Sequence, residues 1–194
     1  MNLSEAKKTI RARMKKLRDG LDLFEYRKLS TAIMEQCVTL PEWKQASTIH
    51  IYVSAVNNEV DTLGLIFGML DGGKVVVVPK CVEELHKLKN IFIRSLDELT
   101  LCRFGLMEPE FSPEREIQCN SLNLVVVPLL AFDRTGGRLG FGGGYYDSLL
   151  SECTCPKIGL GYSFQEVDRI PVEPHDQKLD IIITEKEIIK VNHE

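Results

Sequence analysis

The spacing of hydrophobic positions changes along the chain. Between Ser4 and Gly20, Ile10, Met14 and Leu17 recur at helical intervals among basic residues, which predicts a helix opened by Ser4 and closed by Gly20. Asp22 opens a second helical stretch, "LFEYRKLSTAIMEQCV", that ends before Pro41. After it the pattern becomes short β-branched or apolar runs of strand length: "TIHIYVS", "KVVVVPK", "NLVVVPLLAF", "KIGLGYSF" and "LDIIITE". Several of these runs are continuous rather than alternating, as suits strands covered on both faces in a parallel sheet. "NIFIRSL" reads as a further strand near an edge, and "VDTLGLIFGML" and "YYDSLLSEC" as crossover helices. With no internal repeat, low-complexity stretch or linker, residues 1–194 are expected to form one three-layer α/β/α domain around a mostly parallel, Rossmann-like sheet.

Composition narrows the classes without choosing among enzymes. A chain of 194 residues is large enough to bury a full core without disulfides or a structural metal. Its net charge of -4 gives no electrostatic footprint for nucleic acid. No stretch approaches the roughly 20 apolar residues of a membrane span. The start "MNLSEAKKTIRARMKKLRDG" has no apolar core and carries acidic residues, so it reads as neither a secretory nor a transit segment. Cys37, Cys81, Cys102, Cys119, Cys153 and Cys155 form no CxxC pair and have no histidine at zinc-finger spacing. They read as reduced thiols, and the expected location is the cytoplasm. The pair Cys153 and Cys155 cannot by itself close a tetrahedral metal site.

The stretch "RLGFGGGYYD", residues 138–147, concentrates the chemistry. A glycine run is entropically costly to order, so it needs a use that side chains would obstruct. It lies between the strand "LNLVVVPLLAFD" and a helix beginning near Tyr145, where ligands bind in open α/β sheets. There, backbone N–H groups and a helix N-terminus can surround an anion. A structural turn is the other reading, and the glycines alone do not decide. No "GK[ST]" follows and no GxGxxG occurs, which disfavours an ordinary nucleotide kinase or dehydrogenase.

"FDRTGGRLGFGGGYYDSLL" resembles the signature of the 5-formyltetrahydrofolate cyclo-ligases, also called 5,10-methenyltetrahydrofolate synthetases. "AKKTIRARMKKLR", "YVSAVNNEVDT", "FGLMEP", "LVVVPLLAFD" and "PHDQKLDIIITE" resemble further family segments in the right order, so the likeness spans nearly the whole chain. It implies conversion of 5-formyltetrahydrofolate, with or without a polyglutamate tail, to 5,10-methenyltetrahydrofolate, using ATP and Mg²⁺ and releasing ADP and phosphate. It also implies phosphorylation of the formyl oxygen followed by attack of N10. Such chemistry needs positioning and charge neutralisation rather than a side-chain nucleophile, in keeping with the absence of a Ser/His/Asp or Cys/His signature. A non-catalytic folate-binding or storage homologue is the alternative. No nucleic-acid or membrane partner is implied, and a monomer is expected.

The resemblance also suggests roles for individual residues. Lys7 and Arg11, one helical turn apart, share a face and can converge on a polyphosphate, although the residues alone equally describe a solvated basic helix. With them, Arg138, Leu139, Gly140, Phe141, Gly142, Gly143, Gly144, Tyr145 and Tyr146 are expected to bind ATP. Phe141 stands where some family members carry a basic residue, which puts more of the charge neutralisation on Arg138, Lys7, Arg11 and the metal. Lys7, Arg138 and Tyr145 are the expected catalytic residues. Val53, Glu59, Phe104, Met107, Pro109, Gly143 and Tyr145 are expected around the folate, with Tyr145 facing the ligand and Tyr146 the core. Asp147 and Asp180 are expected to hold the metal. His175, beside Asp176, is expected to have no catalytic part.

Overall fold

The computed structural model describes residues 2–55 and 57–192, and for Phe104 the backbone alone. The first elements are helices α1 (Leu3–Asp19), α2 (Leu23–Thr39) and α3 (Pro41–Gln45), strand β1 (Thr48–Ile51) and helix α4 (Leu63–Asp71). Strands β2 (Val75–Val82), β3 (Lys87–Ile93), β4 (Leu99–Leu101), β5 (Met107–Pro109), β6 (Leu124–Pro128), β7 (Ala131–Phe132) and β8 (Arg138–Leu139) follow. Helix α5 (Tyr145–Glu152) and strands β9 (Lys157–Leu160), β10 (Ile181–Ile183) and β11 (Ile188–Lys190) complete the chain.

Seven strands form one sheet in the order β11-β10-β9-β6-β1-β2-β3. The five inner strands run parallel, and β3 and β11 close the edges antiparallel. This is the expected mostly parallel α/β sheet, with "NIFIRSL" on an edge strand. The continuous apolar runs are explained by their two-sided burial. Val76 and Val78 of β2, with Leu124 and Val126 of β6, join the core beneath α2, α3 and α4. Val77, Val125 and Val127 point the other way, into the core beneath α5. The hairpin β4–β5 and the strand β11 were not apparent in the sequence pattern; each strand has only three residues, too few to establish a period.

Helix α1 departs from its expected amphipathic face. Met14 is fully buried, but Leu17 is 43% exposed, and the buried stripe continues through Lys7 and Arg18. Positions 7, 11, 14 and 18 share one side of a helix, so α1 turns three cations inward. Met14 packs on Ala131 and Leu139 of the small hairpin β7–β8 and on Ile170, which fixes the helix over that hairpin.

The turn of that hairpin uses the first half of the glycine-rich motif. The buried Asp133 carboxylate accepts hydrogen bonds from the N–H groups of Thr135 (2.8 Å), Gly137 (3.1 Å) and Ile170 (2.7 Å) and from the Thr135 hydroxyl (2.7 Å). Gly136 has φ 85°, and a Cβ there would lie 2.6 Å from the Leu179 carbonyl oxygen. "DRTGG" is therefore scaffold, and the second glycine run begins where the hairpin ends.

Candidate active site

From β1 the chain crosses to β2 on one side of the sheet, and β6 lies on the other, so the strand order reverses between β1 and β6. The segments leaving the carboxyl ends of these strands diverge there and open a cleft, as the geometry of an open α/β sheet requires. The cleft encloses about 1210 Å³ and is lined from α1, β2, β5, the loop after β1 and the glycine loop. That exceeds the roughly 300–1,000 Å³ typical of a site for one small molecule.

One end gathers cations and backbone N–H groups. Lys7 is 5% exposed, and its ammonium donates to Glu173 (2.7 Å) and Asp176 (2.6 Å). Burial works against its charge, but the two carboxylates outweigh burial and hold its pKa above the ordinary lysine value. Asp176 is correspondingly held low: burial opposes its charge, and the Lys7 hydrogen bond and the Glu173 N–H overcome it. Arg11 donates from Nε to the Gly140 carbonyl (2.9 Å). Arg138 Nη2 donates to Asp147 (2.9 Å), and its buried Nε makes no hydrogen bond among the described residues.

The glycine loop closes over these side chains. Gly142 has φ 102°, and a Cβ on it would sit 3.2 Å from the Arg11 guanidinium carbon. Gly144 has φ 68° and caps α5 without a side-chain hydrogen bond, so the first N–H groups of α5 are open for a ligand. The bare loop thus lets Arg11 pass directly beneath it.

The other end is mixed in polarity. Val53 and the buried Glu59 come from the loop after β1, and Met107 and Glu108 from β5. Burial works against the charge of Arg18, and Glu59 opposes that effect electrostatically. Arg18 Nε donates to the Asn57 carbonyl (2.7 Å), while the Asn58 amide donates to the carbonyls of Arg18 and Leu21. Asn57 and Asn58 adopt left-handed φ of 53° and 49°, so this loop is strapped to α1 in a conformation that asparagine tolerates. Lys80 pairs with Glu108 (2.8 Å), which raises the lysine's pKa. The Tyr145 ring packs tilted by 31° against His86 with ring centroids 4.5 Å apart, whereas Tyr146 packs against both cores.

The cleft brings together Lys7, Arg11, Val53, Glu59, Met107, Asp147 and the whole run Arg138–Tyr146. It does not include Pro109, which is buried within β5, and the side chain of Phe104 lies outside the described residues. Asp180 needs correction as a partner of Asp147. It precedes β10 and accepts a hydrogen bond from the N–H of Lys157, the first residue of the parallel strand β9, at 2.7 Å. It therefore stands at the amino end of the sheet, opposite the cleft. Asp147 instead shares the cleft lining with Asp176, whose neighbour Gln177 donates its N–H to Asp147 at 3.2 Å. Sequence reasoning also missed Lys80, Glu108, Arg18 and Glu173. A usable signal existed for Arg18 alone, in its place on the stripe with Lys7, Arg11 and Met14.

Residues 3–185 match the model of the 5-formyltetrahydrofolate cyclo-ligase family. A 5-formyltetrahydrofolate cyclo-ligase of Haemophilus influenzae is 30% identical over 186 residues, covering 93% of this chain and 98% of that protein. A probable 5-formyltetrahydrofolate cyclo-ligase of Schizosaccharomyces pombe is 31% identical, covering 83% and 86%. The structure of Aquifex aeolicus 5,10-methenyltetrahydrofolate synthetase superimposes with a TM-score of 0.84 at 31% identity, covering 97% of this chain and 94% of that one.

Proposed function

The chain belongs to the 5-formyltetrahydrofolate cyclo-ligase family, and we propose that the cleft between β1 and β6 binds ATP and 5-formyltetrahydrofolate together and joins them in the family's reaction. The observation that carries this reading is the division of one large cleft into a cationic, N–H-rich end and an end with a buried carboxylate and apolar walls. Lys7, Arg11, Arg138 and the N–H groups of the glycine loop and α5 receive the polyphosphate. Lys7 and Arg138 exchange their carboxylate partners for phosphate oxygens as the nucleotide enters. Glu59 accepts N–H donors of the pterin, and Val53, Met107 and Tyr145 wall its ring.

The formyl oxygen, a poor leaving group, attacks the γ-phosphorus and ADP departs. N10 then attacks the activated formyl carbon, the C–O bond breaks, phosphate leaves with the former formyl oxygen, and N10 loses its proton. The protein positions the two substrates, spreads phosphate charge over fixed cations and excludes water. Asp147, Asp176 and Glu173 offer hard oxygen donors at the phosphate end, and ligand atoms of Glu173, His175 and Asp176 lie within 4.8 Å of one another. The carboxylates suit Mg²⁺, which Asp147 and Asp176 would hold and which would supply positive charge to the phosphate oxygens. The chain works as one domain. The active form we propose is a monomer, and its place the cytoplasm.

The test is turnover. Purified protein with 5-formyltetrahydrofolate and Mg-ATP is expected to develop methenyl absorbance with one ADP per product. Asp176→Asn is expected to raise the Mg²⁺ requirement, and Asp180→Asn to leave it unchanged. Methenyl formation at full rate without nucleotide contradicts the phosphoryl mechanism, and the reverse order of the two aspartate variants contradicts the metal placement.

A further inference from the structure

We infer that His50 and Asn90 hold the Tyr146 hydroxyl proton inward, so that the phenol oxygen meets the cleft as a hydrogen-bond acceptor for an N–H of the reduced pterin. The inference rests on the cyclo-ligase reading of the cleft. His50 sits mid-sheet on β1, fully buried, and its Nε2 lies 3.3 Å from the Tyr146 hydroxyl. Burial pushes the imidazole pKa down to about 4, so the ring is neutral and carries a single N–H. The Tyr146 phenol, whose ordinary pKa is about 10, keeps its one proton at neutral pH.

The position of the imidazole proton follows from two buried atoms. His50 Nδ1 and Asn90 Oδ1 both lack a well-aligned hydrogen bond among the described residues. Asn90 lies on β3 opposite Pro79 of β2, and His50 lies opposite Val77 of the same strand, so both side chains point to the α5 face. The Asn90 amide nitrogen is directed at Cys119 Sγ (3.5 Å), which leaves its oxygen for the imidazole. The side chains of Asn90 and His50 are close enough to interact as hydrogen-bond partners. Both orphan atoms are satisfied when Nδ1 carries the proton. Nε2 is then a lone pair, and the Tyr146 hydroxyl donates to it.

A phenol whose proton is committed inward offers only lone pairs outward. Tyr146 lines the cleft and feels the charge of Glu59, so two acceptors serve the same end. A reduced pterin presents several ring and amino N–H groups, which suit such a pair. His50 is thus a positioning residue: it touches no substrate and sets the polarity of a group that does.

Histidine-selective ¹⁵N labelling tests this in the wild-type protein, with the His50 signals identified by their absence in His50→Gln. The expected result is a protonated Nδ1 and an unprotonated Nε2; a proton on Nε2 overturns the inference and corresponds to a reversed Asn90 amide. Tyr146→Phe is expected to weaken equilibrium binding of 5-formyltetrahydrofolate on the order of tenfold. Its Kd for ATP should hardly move, and its Tm should fall modestly because the buried His50 Nε2 loses its donor. Equal folate affinity in the two proteins overturns the inference as well. Absent turnover in a wild-type protein that binds folate counts against the cyclo-ligase reading, and leaves the resonances and the Kd ratio to judge His50.

Discussion

Gly143 and Gly144 are neighbours with different physical reasons for being glycine. At Gly144 a Cβ meets nothing within 4 Å, but φ is 68°, so alanine there costs backbone strain of about 1 kcal/mol or more. At Gly143 φ is ordinary, and a Cβ would fall 2.8 Å from the Tyr145 ring. Gly144→Ala is therefore expected to lower Tm while KM for either substrate changes little. Gly143→Ala should leave Tm nearly unchanged and raise KM for folate, because the displaced ring belongs to the cleft wall. Thermal melts and steady-state kinetics on the two variants check this, and the opposite assignment of effects would contradict it. The glycine count in the sequence marks the loop but cannot separate these cases, since φ depends on the surrounding hairpin and helix. The same limit explains the aspartates. Asp176 and Asp180 stand four residues apart in one acidic segment, and the entry of the chain into β10 alone decides which end of the sheet each one reaches.

At the scale of elements, the hairpin β7–β8 supports both the glycine loop and α1, and Asp133 organises its turn. Burial opposes the charge of this carboxylate, but the N–H groups of Ile170, Thr135 and Gly137 and the Thr135 hydroxyl together hold its pKa below the ordinary value. A depressed folded-state pKa contributes stability that is fully present above the unfolded value of about 3.9 and is lost as pH falls through the folded value. Asp133→Asn is thus expected to melt well below wild type at neutral pH, with the difference shrinking as pH falls below about 4. A constant difference across that range would assign the turn's stability to something other than the carboxylate charge. Most large elements were legible in the sequence because burial on both faces produces continuous apolar runs and the caps Asp22 and Gly20 mark helix boundaries, although α1 opens at Asn2, whose side chain accepts the N–H groups of Ser4 and Glu5, rather than at Ser4. The inward face of α1 was not, because Lys7 and Arg18 are buried with charged or carbonyl partners more than 30 residues away in sequence. Hydropathy along a helix carries no trace of such partners.

For the whole molecule, the reversal of strand order between β1 and β6 is what opens the one large cleft in which we place both substrates. Helix α1 lies across the hairpin and delivers Lys7 and Arg11 to the cationic end of the cleft, while Arg18 secures the loop that carries Glu59. The central claim is that a phosphoryl group passes within this cleft to the formyl oxygen of the folate. The most direct measurement uses 5-formyltetrahydrofolate labelled with ¹⁸O in the formyl group, turned over with Mg-ATP in unlabelled water. The label is expected in the released inorganic phosphate, one atom per methenyl product. Label recovered in water, with none in phosphate, would contradict the account.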